Sequence, residues 1–168
     1  MYLREALRCC RDLEEEVGHI YEELAAQHAD DEQLKGLWCE MAEDERRHSR
    51  VVSALLAAED VQEDDGPFVV DLRPRIERLR KLLDRAYKSV RAGIKPADAI
   101  ELATFIEGTE INELFRELIE LARPSLLRLL GQLERRLEVP DPHYARLQRW
   151  SAAAATASPT ATDSDLVR

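Results

Sequence analysis

The sequence predicts an all-α protein, an antiparallel four-helix bundle with a long, helix-containing crossover between its second and third long helices. Apolar residues recur every three or four positions through almost the whole chain, which is typical of amphipathic helices. Only 6 glycines and 7 prolines interrupt the 168 residues, and aromatic residues make up 5%. Leucine, alanine, glutamate and arginine fill the rest and favour helix over sheet.

The first two helices are predicted over residues 2–28 and 32–58. Asp30 and Asp31 mark the turn between them and supply the N-cap of the second helix. The acidic stretch 59–67 is rich in helix breakers and is predicted to be a loop. Because the turn at Asp30 and Asp31 is short, we expect the first two helices to form an antiparallel pair.

The crossover, residues 59–95, contains a predicted amphipathic helix at 75–92 that ends at Gly93. Its basic residues are Arg73, Arg75, Arg78, Arg80, Lys81, Arg85, Lys88 and Arg91. We expect its apolar side to pack on the bundle and its arginines to pair with the acidic remainder of the protein.

The third and fourth long helices are predicted over residues 96–122 and 124–138, and a short cap over about 141–150. Residues 1–150 then form one domain, in which two helix pairs are joined by a long crossover, the plan of a ferritin-like bundle. Residues 151–168 are rich in Ala, Ser, Thr and Pro, cannot bury a core and are predicted to be a disordered tail.

Composition excludes several classes of function. The chain has 24 Lys and Arg against 34 Asp and Glu, a formal net charge of -10 that repels phosphate backbones, so we expect no nucleic-acid partner. No apolar run approaches the roughly 20 residues that cross a bilayer. Three cysteines without a CxxC pair do not make a disulfide framework. We therefore expect a cytoplasmic protein with no membrane partner.

Two carboxylates stand where the helical pattern requires leucine. Glu14 and Glu45 each lie near the middle of an apolar stripe, and His48 follows Glu45 by three residues on the same face. A buried carboxylate costs several kcal/mol unless it is protonated, paired or bound to a metal. These residues therefore predict a metal site, and a satisfied polar cluster is the alternative.

The predicted turn brings these side chains to one height in the bundle. Glu14 lies 16 residues before Asp30 and Glu45 lies 15 residues after it, so antiparallel packing sets them side by side. Tyr21 lies two turns beyond Glu14 on the same face, where its hydroxyl could bond a ligand carboxylate and orient it.

The second helix pair repeats the pattern in part. Glu107 lies at the centre of the stripe of the third helix, Glu110 lies one turn on, and Glu134 opens an ERRL segment that echoes the ERRH segment at Glu45. Glu110 matches the height of Glu134 better, whereas Glu107 faces inward better. Both remain candidate ligands.

The spacing of Glu14, Val17 and Tyr21, followed by the ERRH segment, resembles the rubrerythrin branch of the ferritin-like superfamily over about residues 3–137. The resemblance implies a homodimer of four-helix bundles that hold two irons and react with peroxide or oxygen as a peroxidase or ferroxidase. It assigns the metal ligands to Glu14, Glu45, His48, Glu107, Glu110 and Glu134. Manganese also suits such a site.

Two features depart from that family pattern. Leu137 stands where the second histidine is expected, so Glu110 must compensate or the site holds one metal or none. No paired CxxC motifs are present to form a rubredoxin-type iron site, so electrons for peroxide reduction must come from another protein.

Two further readings remain. Leu137 favours a non-enzymatic bundle that serves as an interaction or assembly module with a degenerate metal site. Residues 163–168 resemble the C-terminal peptides that load ferritin-like cargo into encapsulin shells, although an unselected disordered end is the favoured interpretation of this segment.

Overall fold

The computed structural model describes residues 1–57, 71–109, 111–122 and 146–150. These ranges contain five helices of 11 residues or more and no β-strand, which confirms the all-α class. The helices are α1 (Leu3–Gln27), α2 (Glu32–Ala57), α3 (Arg73–Arg91), α4 (Pro96–Glu107) and α5 (Ile111–Leu121). The predicted loop 59–67, the fourth long helix at 124–138 and the tail at 151–168 lie outside the described residues.

α1 and α2 form the antiparallel pair that the sequence predicts. The Asp31 carboxylate caps α2 by accepting hydrogen bonds from the backbone N–H groups of Gln33 and Leu34, both at 3.0 Å. Near the middle of the pair, Ser49 of α2 donates to Glu15 of α1 at 2.8 Å. Nearly every residue between the two helices is apolar and buried, so a carboxylate placed there loses its water.

α3 runs parallel to α1. Three ion pairs join them, and in each the arginine lies 68 positions after its acidic partner: Glu5–Arg73, Asp12–Arg80 and Glu23–Arg91. The buried residues of α3 are Ile76, Leu79, Leu83, Ala86 and Val90. The apolar side of the crossover helix therefore packs on the bundle while its arginines form ion pairs with acidic residues, as the sequence predicts.

The prediction of one uninterrupted helix over residues 96–122 is wrong, because the helix is interrupted between the end of α4 and the start of α5. Gly108 is a poor helix former. The Thr109 hydroxyl donates to the carbonyl of Ile106 at 2.6 Å and accepts from the backbone N–H of Ile111 at 3.4 Å. Side-chain bonds of this kind compete with the helical ladder, so local chemistry overrides the apolar periodicity at this point.

Residues 146–150 are helical and contact α2. Leu147 is fully buried, and Arg146 lies 2.8 Å from the buried Asp44 carboxylate. Arg75 of α3 pairs with Glu117 of α5 at 2.9 Å. Within the described ranges, no helix has both the length and the apolar character that a bilayer crossing requires.

Candidate metal centre

Glu14 of α1 meets Glu45 and His48 of α2 in the interior of the helix pair. The Nδ1 atom of His48 lies 3.0 Å from Oε2 of Glu14 and 3.2 Å from Oε2 of Glu45. One ligand atom from each residue lies within 4.8 Å of the other two. The structure therefore brings together three residues that the sequence selects from their position on the apolar stripes.

These three side chains are almost entirely withdrawn from water. Glu14 is 0% exposed, Glu45 2% and His48 6%. The Oε1 atom of Glu14 has no hydrogen-bond partner in the described part of the chain. A buried polar atom left unsatisfied costs about 1–3 kcal/mol, and more when it is charged. Most buried polar atoms in proteins are satisfied, and a cation bound at the cluster would satisfy this one.

The ionisation of the cluster reflects this crowding. Burial raises the pKa of Glu14 well above its usual value, the nearby Glu45 carboxyl raises it further, and His48 opposes the rise. Burial alone would lower the pKa of His48, but its hydrogen bonds to the two carboxyls and their charges raise it to about 9. Without a cation, the cluster retains protons to balance its charge.

The donor set fits a divalent transition metal. Ligand atoms at right angles on a cation with bonds of about 2.1 Å lie about 3.0 Å apart. The separations from His48 Nδ1 to the two carboxylate oxygens, 3.0 and 3.2 Å, are close to that value. Carboxylates suit manganese and imidazole suits iron and zinc, so the mixed set accepts first-row ions.

Gly18 allows α1 and α2 to approach at this level. A Cβ atom on Gly18 would lie 3.4 Å from Cβ of Glu45. A single methyl group fits at this distance, but a side chain larger than alanine would displace Glu45 from the cluster. Sequence analysis did not select Gly18, although an isolated glycine inside a helical pattern often indicates close packing or a functional role.

Glu107 of α4 accepts hydrogen bonds from two side chains outside the cluster, Tyr21 and Asn112. Its side chain is 7% exposed, its Oε1 accepts a hydrogen bond from the Tyr21 hydroxyl, and its Oε2 accepts one from Asn112 Nδ2 at 2.9 Å. Glu107 is not among the three residues whose ligand atoms lie within 4.8 Å of one another. Glu110 and Glu134, the other predicted ligands, lie outside the described residues.

The Tyr21 hydroxyl donates a hydrogen bond to Glu107, one of the predicted metal ligands. Tyr21 is also close enough to Glu14 and Glu45 for their charges to affect its pKa. Its pKa is raised well above the usual value by burial first, then by the charges of Glu107, Glu45 and Glu14. Its hydroxyl therefore keeps its proton at neutral pH and acts as a donor.

Two aromatic rings line the site. Phe115 of α5 packs on the His48 imidazole with ring centroids 4.6 Å apart, and Trp38 of α2 stacks on Tyr21 at 6.0 Å. Trp38 belongs to the predicted apolar stripe of α2. The sequence gives no comparable signal for Phe115 or Asn112, because their placement depends on the break before α5.

No curated protein and no solved structure matches the chain significantly. A protein-family model with the description Rubrerythrin matches residues 5–121, a stretch that includes Glu14, Glu45, His48 and Glu107 and most of the chain. The chain therefore belongs to the rubrerythrin family.

Proposed function

We propose that this protein binds iron or manganese at Glu14, Glu45 and His48, and that it acts on peroxide or oxygen as an oxidoreductase of the peroxidase or ferroxidase type. The observation that carries the proposal is a pair of carboxylates at 0% and 2% exposure beside one histidine, with one carboxylate oxygen unpartnered in the described part of the chain. Such an arrangement is costly in a protein that never binds a cation.

The bound metal would supply electrons to, or withdraw them from, an oxygen-containing substrate. Glu14 and Glu45 provide the negative charge that holds the cation, and His48 provides a nitrogen ligand once it has lost its extra proton. Phe115 covers the imidazole and limits the access of water. Tyr21 holds its proton at the hydroxyl and directs it at Glu107.

Glu107, Glu110 and Glu134 are the proposed ligands of a second ion. If they hold one, the centre has two metals although Leu137 replaces a histidine. We further propose that the protein is a homodimer and takes electrons from a separate donor protein.

The proposal is tested by metal analysis of protein purified without chelator. We compare the wild type with the double variant Glu45→Ala/His48→Ala. The matched control, Glu43→Ala/Arg46→Ala, has the same spacing on the exposed face of α2. We expect near-stoichiometric iron or manganese in the wild type and the control, and a loss of metal in the site variant. Peroxide consumption by the iron-loaded protein should follow metal content.

Equal and negligible metal in all three proteins, even after incubation with iron(II) or manganese(II), would contradict the proposal. That result would instead favour the non-enzymatic interaction or assembly module. Restoring the missing donor with Leu137→His would then show whether one absent ligand limits occupancy.

A further inference from the structure

The break between α4 and α5 brings Asn112 to Glu107. Residues five apart in a continuous α-helix lie about 140° apart around the axis and do not face each other. In this structure, Asn112 Nδ2 nevertheless lies 2.9 Å from Oε2 of Glu107 and 3.4 Å from its backbone oxygen. The interruption after Glu107 thus creates a contact that regular helix geometry forbids.

Two donors from different helices fix the Glu107 carboxylate. Tyr21 of α1 donates to Oε1, and Asn112 of α5 donates to Oε2. An ionised carboxylate has about four acceptor positions, so these two hydrogen bonds do not by themselves occupy all of them. The two hydrogen bonds restrict rotation of the Glu107 carboxylate but do not prevent it from binding a cation.

A second residue of α5 ties this helix to the metal centre. Phe115 lies one turn after Asn112, and its ring packs on the His48 imidazole. α5 therefore contacts Glu107 through one side chain and His48 through another. The break sets both contacts at once.

We propose that Asn112 is a positioning residue of the metal centre, which acts by holding the Glu107 carboxylate in the orientation that a bound cation requires. This inference rests on the proposed function, in which Glu107 is a ligand. An asparagine suits the role because its amide donates a hydrogen bond at every pH and adds no charge to an already acidic cluster.

The test is a titration of metal-free protein with cobalt(II), followed by its visible absorption, which reports both affinity and coordination. Asn112→Leu removes the donor at similar size and without charge, and Asn112→Ala provides a second variant if the first is poorly folded. The matched control is Thr104→Ala. It removes a side-chain hydrogen bond within α4, from Thr104 to the carbonyl of Ile100, that involves neither the break nor the Glu107 carboxylate.

We expect the Asn112 variants to bind cobalt(II) about ten-fold more weakly or worse, the usual effect of removing a residue that orients a metal ligand, with an altered absorption spectrum. Thr104→Ala should leave the cobalt affinity and the absorption spectrum unchanged. In a Glu107→Gln background, Asn112→Leu should have no further effect on affinity, because both changes act through one carboxylate.

Unchanged affinity and spectrum in the Asn112 variants, with a wild type that binds cobalt(II), would overturn this inference and leave the proposed function intact. An equal loss of affinity in Thr104→Ala, or an undiminished effect of Asn112→Leu in the Glu107→Gln background, would also overturn it, since either result indicates a purely structural effect of the substitution. A wild type that binds no cobalt(II) would overturn both proposals.

Discussion

The Nδ1 atom of His48 lies 3.0 Å from Oε2 of Glu14, although 34 positions separate the two residues. The contact crosses the interface between two antiparallel helices at a level where both partners are withdrawn from solvent. The burial of either side chain in an apolar core costs free energy. Together with Glu45 they form a buried group that could bind a metal ion.

Replacing Glu14 by glutamine should stabilise the metal-free protein and abolish its stabilisation by metal. The neutral amide removes a carboxyl whose pKa burial raises well above its usual value. Relief of a buried and incompletely satisfied acid should contribute about 1–3 kcal/mol. Thermal unfolding with chelator and with manganese(II) measures both effects.

Glu16→Gln, a change on the same helix outside the cluster, is the control and should leave the metal-induced shift in melting temperature intact. A Glu14→Gln protein that melts lower than the wild type in chelator would show that Glu14 is already well satisfied without a cation.

The stability of the metal-free protein should fall as pH rises. The pKa of His48 is raised from 6.5 to about 9 by its carboxyl partners, despite burial. A raised pKa stabilises the folded state fully below pH 6.5, and that contribution is lost as pH rises through about 9. The raised pKa of Glu14 acts in the same direction.

Chemical denaturation in chelator across this pH range should therefore show a decline that His48→Gln reduces. In metal-loaded protein the decline should disappear, because the cation replaces the protons. A flat profile for the metal-free wild type would contradict the prediction.

Helical periodicity and turn position are sufficient to predict the core of the site. Glu14, Glu45 and His48 interrupt apolar stripes, and the turn at Asp30 and Asp31 sets the register of α1 against α2. Burial and height are both properties of regular helices, so both can be read from spacing alone. The three residues meet as that reasoning requires.

The second part of the site depends on an irregularity that spacing does not reveal. Apolar periodicity continues across Gly108 and Thr109, yet hydrogen bonds of the Thr109 side chain end one helix and start another. Asn112 and Phe115 follow this break, so their directions cannot be extrapolated from α4. Whether the helix continues past Gly108 depends on a competition between side-chain and backbone hydrogen bonds, and apolar spacing does not show which of these bonds form.

Replacing Phe115 by alanine should expose His48 to small reagents. The half-buried ring packs 4.6 Å from the imidazole centroid, and its loss should also cost about 1–3 kcal/mol, less than the 3–5 kcal/mol typical of a fully buried phenylalanine. Modification of metal-free protein by diethylpyrocarbonate at about pH 9, where about half of the His48 imidazole is unprotonated and reactive, followed by mass spectrometry, measures the exposure. The exposed His19 serves as the internal reference.

Phe105→Ala is the matched control, because Phe105 is 60% exposed on the outer side of α4. It should change neither stability nor the modification rate of His48. Equal rates in the Phe115→Ala and wild-type proteins would show that the ring does not limit access.

Enlarging Gly18 should damage the metal centre in proportion to the size of the new side chain. A Cβ atom would lie 3.4 Å from Cβ of Glu45, an ordinary contact distance. Gly18→Ala should therefore retain metal, and its better helix propensity offers up to about 1 kcal/mol. The extra methyl groups of Gly18→Val must push Glu45 away from His48, which should cost about 1–3 kcal/mol and most of the metal affinity.

Gly36 provides the control on α2, because a Cβ atom there meets nothing within 4 Å. Gly36→Val should leave metal affinity at the wild-type value. Thermal unfolding and manganese(II) titration of the three variants separate backbone propensity from crowding at the site. If Gly18→Val bound manganese(II) as tightly as Gly36→Val, the close approach of α1 to Glu45 would not be what holds this ligand in place.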